Sequence, residues 1–104
     1  MAILHPNKSD FDELIKNGVV LADFYADWCG PCKMLAPLME QLDKDYDGKV
    51  KIAKINVDQE SELAAEYGIT SIPAVIVFKD GKSKAFEVGF QPLDAYKGIL
   101  DSLI

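Results

Sequence analysis

An α/β domain with a mixed sheet is the fold this sequence predicts, on three observations. Val19 to Ala26 is an apolar run too continuous for a strand with one wet face, so it reads as a central strand covered on both sides. Short apolar runs alternate with segments of helical periodicity, which makes the helices crossovers between parallel strands. Asp80-Gly81 then separates two strand-like runs, Ala74 to Phe78 and Lys84 to Val88, and this turn signal adds an antiparallel strand. With 104 residues and 49% apolar content, residues 1–104 are expected to form one domain around one core.

The first helix is expected to start at Ser9-Asp10-Phe11-Asp12, where an acidic residue follows a candidate N-cap by three. Phe11, Leu14 and Ile15 give it one apolar face, and Asn17-Gly18 supplies the stop. After the central strand, the next helix begins at the two cysteines and carries Leu35, Leu38, Met39, Leu42 and Tyr46 at helical spacing. Pro37 inside that pattern removes one backbone donor and clashes with the carbonyl four residues back, which predicts a kink rather than an end. Asp47-Gly48 closes this helix. Val50 to Val57 reads as the second strand, and Glu60 to Tyr67 as a short helix stopped by Gly68. Leu93, Tyr96, Ile99, Leu100 and Leu103 give a last amphipathic helix opened by Pro92. A short strand near Ile3-Leu4 would bring the sheet to five strands, flanked by four helices. No repeat, linker or low-complexity segment interrupts this order.

All 11 basic residues are lysine, and the net charge is −6. A nucleic-acid binder carries a basic stripe and arginines for bidentate contacts, so that class is set aside. No run approaches the ~18 apolar residues of a membrane span. Met1 to Lys8 shows no basic segment followed by a long apolar stretch, so no signal peptide is visible and a cytoplasmic location is expected. In that reducing compartment a cysteine pair is more often catalytic or metal-binding than structural.

Trp28-Cys29-Gly30-Pro31-Cys32 holds the only two cysteines, at the junction of the central strand and the long helix. They can bond to each other, stay reduced, or attack another molecule, and two thiols so placed read as a redox centre. At a helix start, unpaired N–H groups and the helix dipole favour an anion, so Cys29 is the activated thiolate and attacks. Cys32, one turn on and on the same face, can then reach the Cys29 sulfur and resolve a mixed disulfide. The plainer alternatives are an inert disulfide, a buried thiol pair, or a zinc site. Zinc needs further ligands, and His5 is the only histidine. Pro31 fixes its own φ and has no donor to lose at a helix start. Gly30 lets a substrate backbone approach closely.

On these residues the chain resembles the thioredoxin family. Further matches fall in the same order: Asp23 in the central strand, Pro37 in the helix, Lys54 in the next strand, Ile72-Pro73 before the hairpin, Gly81 in its turn and Gly89 after it. The resemblance covers essentially the whole chain. It departs at Ala74, where the family usually has Thr, at Tyr25, where many members have Trp, and at Phe90, where a small residue is common.

The resemblance implies a thioredoxin fold and a general protein-disulfide reductase. A disulfide oxidant or isomerase, or a non-redox binding subunit of another enzyme, are the other classes. Cys29 and Cys32 form the implied redox disulfide, re-reduced by a thioredoxin reductase, an NADPH-dependent flavoprotein or a ferredoxin-linked enzyme. No bound cofactor or metal is needed. The partners expected are disulfide-containing proteins and that reductase, with no nucleic acid and no membrane, for a chain acting as a monomer. Trp28 shields the thiol and offers an apolar face to a partner, and Gly89 lines the groove or ends a strand. The resemblance also implies a cis bond before Pro73, facing the cysteines. A proline there removes a donor and leaves the Ile72 backbone to pair with an extended substrate segment.

Asp23 interrupts an apolar strand and is expected to be buried, with its pKa raised. Behind the resolving thiol it can take the Cys32 proton and return it. The alternative is a buried salt bridge to Lys54, which alternation places on the Val50 and Ile52 face of its strand. Gly81 reads as a turn glycine, and Asp43, Asp45 and Asp47 as a solvated helix face and its end.

Overall fold

The computed structural model describes residues 2–104. The elements in chain order are α1 (Lys8–Leu14), β1 (Val19–Tyr25), α2 (Gly30–Asp45), β2 (Val50–Asn56), α3 (Ser61–Glu66), β3 (Ala74–Lys79), β4 (Lys82–Val88) and α4 (Leu93–Asp101). The sheet runs β2-β1-β3-β4, with β1 and β2 parallel and the other two pairings antiparallel. The run that lacked a polar face is therefore a central strand, and every residue from Val19 to Phe24 is buried.

Alternation divides the interior into two layers, one on each face of the sheet. Val19 and Leu21 of β1 pack with Leu35, Met39 and Leu42 of α2 and with Tyr96 and Leu100 of α4. Val20, Ala22 and Phe24 point the other way, onto Phe11 of α1 and Leu63 of α3. Asp23 shares the parity of Val19 and Leu21, so it belongs to the α2/α4 side.

The sheet has four strands among the described residues, not the five expected. At Ile3-Leu4 only one parallel bridge forms, Leu4 with Ala53, through Leu4 N–H to the Ile52 carbonyl at 2.9 Å and Lys54 N–H to the Leu4 carbonyl at 2.8 Å. The chain turns away at His5-Pro6, and proline has no donor with which to extend the ladder. The first cap is also different. Asn7, not Ser9, accepts the Asp10 N–H at 2.8 Å, so α1 begins at Lys8. Helix α2 continues through Pro37 to Asp45. Pro92 is the N-cap of α4, one position before the first helical residue. At the hairpin, Asp80 and Gly81 both have positive φ, 49° and 86°, the backbone a two-residue turn between twisted strands requires.

Candidate active site

The loop that leaves β1 after Tyr25 delivers Cys29 as the N-cap of α2. Its backbone is extended, and its sulfur accepts the Cys32 N–H at 3.2 Å. Cys29 thus occupies the cap position where a polar side chain meets orphan amides, and Pro31 stands in the first turn. Cys29 and Cys32 are joined by a disulfide, with Cα atoms 5.2 Å apart. Both are nearly buried, at 5% and 3% exposure, while Gly30 and Pro31 between them are exposed. The linkage is thus nearly covered, with the exposed Gly30-Pro31 turn beside it.

Trp28 is 71% exposed, so it is a surface residue and not part of the core. Its indole N–H donates to Asp58 Oδ2 at 2.9 Å. Asp58 is held in turn because Asn56, at the end of β2, accepts the Asp58 and Gln59 amides through its side-chain oxygen. Sequence reasoning missed this support. Its only trace is an Asx-type turn, Asn56-Val57-Asp58, directly after a strand. Met34, 62% exposed on α2, is a further apolar surface residue that was not anticipated.

The Ile72–Pro73 bond is cis. Ile72 packs against the cluster of Ala26, Cys29 and Cys32, which places this bond beside the disulfide. The Pro73 carbonyl accepts the Gly89 N–H at 2.8 Å, and Gly89 has φ +83°. Gly89 is thus a strand-end residue tied to the cis-proline segment, with the exposed Phe90 next to it.

Asp23 is fully buried, and neither carboxylate oxygen has a hydrogen-bond partner among the described residues. Burial pushes its pKa up to about 6, against a smaller downward pull from Lys54. Asp23 and Lys54 are register partners across β1 and β2. Lys54 nevertheless makes no ion pair with Asp23; its ammonium sits over the Tyr25 ring, 4.4 Å from the centroid. The expected alternative of a buried salt bridge is not formed, because the long lysine stem carries its charge out of the core to the strand end. A cleft of about 140 Å³ lies there, with Tyr25, Cys32, Lys33 and Lys54 among its walls.

The thioredoxin family model matches residues 2–102. A thioredoxin of Staphylococcus epidermidis is 52% identical over 101 residues, covering 97% of each chain. Thioredoxins of Staphylococcus haemolyticus and Staphylococcus aureus are 52% and 50% identical over the same length and coverage. Among solved structures, a mutant thioredoxin from Halobacterium salinarum superposes with a TM-score of 0.88 at 40% identity, covering 97% of this chain and 88% of that one. With a buried cysteine pair at a helix N-terminus and full-length relatives of this kind, the chain belongs to the thioredoxin family and is a thiol–disulfide oxidoreductase.

Proposed function

We propose that Cys29 and Cys32 reduce disulfides in other proteins by two successive exchanges, with the flanking residues in defined roles. The observation that supports this most is Cys29 at the N-cap of α2 with its sulfur accepting an amide, a position that stabilises a thiolate. The Cys29 thiolate attacks one sulfur of the target disulfide. A Cys29–target bond forms, and the second target sulfur leaves and takes up a proton. Cys32 then loses its proton and attacks Cys29. The Cys29–Cys32 bond forms, and the first target sulfur leaves as thiol.

Asp23 is the group that accepts the Cys32 proton. Its pKa of about 6 leaves it mostly ionised near pH 7, yet closer to the pKa of the thiol it must deprotonate than an exposed aspartate would be. Lys54 moderates that value from the mouth of the cleft. Trp28, Gly30, Pro31, Ile72, Pro73 and Gly89 receive the target chain, the Ile72 backbone pairing with it. Turnover requires a reductase as electron donor, an NADPH-dependent flavoprotein in this reading. The protein works as a cytoplasmic monomer, with residues 1–104 acting as one domain. No helix among the described residues is long and apolar enough to cross a membrane.

The division of labour between the thiols is tested by trapping. Cys32→Ser incubated with a disulfide-bonded protein should accumulate a covalent adduct through Cys29, whereas Cys29→Ser should not. Equal adducts from both variants would remove the assignment. The direction of electron flow is read by equilibrating the pair against a dithiol buffer. A potential below that of the glutathione pool fits a reductase, and one well above it fits an oxidant or isomerase.

A further inference from the structure

Tyr96 is the one polar side chain on an otherwise aliphatic core face of α4, where Leu93, Ile99, Leu100 and Leu103 supply the packing. It is fully buried, and its hydroxyl has no hydrogen-bond partner of ordinary geometry among the described residues. The Gln91 backbone N–H is directed at its oxygen and opposes the rise of its pKa, which leaves the hydroxyl's own proton without an acceptor. A buried phenol in that condition is costly, and a leucine would fill the helix face without the penalty.

The same α2/α4 layer contains a second orphan, the Asp23 carboxylate, with both oxygens unpartnered. Val75, the register partner of Asp23, lies in the same buried cluster as Tyr96, and the Asp23 charge acts on the Tyr96 hydroxyl. Together they present one donor and three oxygens, the number of polar partners that holds a buried water. We propose that Tyr96 is a positioning residue for Asp23, its phenol donating through one buried water to the Asp23 carboxylate once that group has ionised.

The surrounding charges are consistent with this pairing. Lys54 acts on Asp23 from β2, and Glu87 acts on Tyr96 from β4. From α2 the packed side chains are Leu35 and Met39, and from β3 the register partner of Asp23 is Val75, none of which offers a donor. Burial, opposed by the Gln91 backbone N–H and helped by the Asp23 and Glu87 charges, pushes the phenol up to about 12, so it remains a donor wherever Asp23 titrates. The consequence for turnover rests on the proposed role of Asp23 as base, but the pair itself does not.

Tyr96→Phe keeps the ring and removes the donor. The readout is the carboxyl carbon resonance of Asp23 followed against pH. The Asp23 midpoint should rise by about one pH unit, the effect of losing one hydrogen bond to a charged group. If Asp23 is the base, the pH profile of disulfide reduction moves with it, with about a two-fold loss at pH 7 and about a ten-fold loss one unit below the original midpoint. A shifted midpoint with an unshifted rate profile upholds the pair and removes the base assignment. An unshifted or lowered midpoint in the folded variant overturns the proposal. Should Tyr96→Phe fail to fold, the phenol carbon resonance of Tyr96 in the unaltered protein decides. An inflection at the Asp23 midpoint that vanishes in Asp23→Asn supports the pair, and a flat response overturns it.

Discussion

Asp23 is the residue at which stability and function oppose each other. Its pKa rises from 3.8 to about 6 on folding, so the folded state disfavours the ionised form. Below the unfolded value the group is protonated in both states and carries no ionisation penalty. Between about pH 4 and 6 the penalty accumulates, and above 6 it is fully present, at about 3 kcal/mol. Asp23→Ala should therefore stabilise the protein near pH 7 by about 2 kcal/mol, after about 1 kcal/mol for the cavity, and slow the resolving step. Denaturant melts at pH 7 and at pH 3.5 test the sign, since the gain should vanish at the lower pH. Asp58 offers a second test at this scale. Asp58→Ala removes the acceptor of the Trp28 indole N–H and should loosen that side chain. Trp28 fluorescence anisotropy should fall, and kcat/KM for a protein disulfide should drop several-fold with the fold unchanged; an unchanged anisotropy would show that the bond does not hold the ring.

Among the elements, α2 and the β3–β4 hairpin were legible for the same reason: their chemistry is local. An N-cap, a proline in the first turn and apolar residues at helical spacing define α2 without reference to the rest of the chain. Asp80-Gly81 specifies its turn through φ alone. Where local signals compete, the outcome depends on what else a segment can pair with. Asn7 and Ser9 are both good caps, and the backbone leaving the Leu4 bridge through Pro6 selects Asn7. Helix α4 carries a testable weakness. Gly98 is exposed, has ordinary helical φ, and a Cβ there would meet nothing within 4 Å. Gly98→Ala should stabilise the protein by about 1 kcal/mol in urea melts without affecting activity. A loss of stability would mean that the glycine has a packing role.

At the scale of the whole molecule, the two layers must form together because they share one sheet. Phe11 shows the coupling. It comes from a helix of only 7 residues, yet it meets Phe24 and Phe78 of β1 and β3 and Tyr67 after α3, all at ring-centroid distances between 5.6 and 6.4 Å. Phe11→Ala should cost about 3–5 kcal/mol, a large share of the stability of a domain this size. The midpoint of chemical unfolding should fall sharply while the active-site disulfide chemistry of the remaining folded fraction is retained. A loss under about 1 kcal/mol would mean that α1 docks independently of the sheet.

The order of the elements, the central place of β1, the two thiols at a helix start and the burial of Asp23 can all be read along the chain, because each is written in periodicity, capping or a polar residue within an apolar run. Which side chains become partners depends on the packed fold. Lys54 was placed on the correct strand face and in register with Asp23, but its flexible stem takes the ammonium to Tyr25 and leaves the acid unpaired. Asp58 under Trp28 and Tyr96 on the Asp23 side of the core come from segments 30 and 73 residues away along the chain, counting Trp28 to Asp58 and Asp23 to Tyr96. Such pairings depend on sheet register and helix docking. Those are set by the simultaneous burial of many apolar side chains, and no single stretch of sequence encodes them.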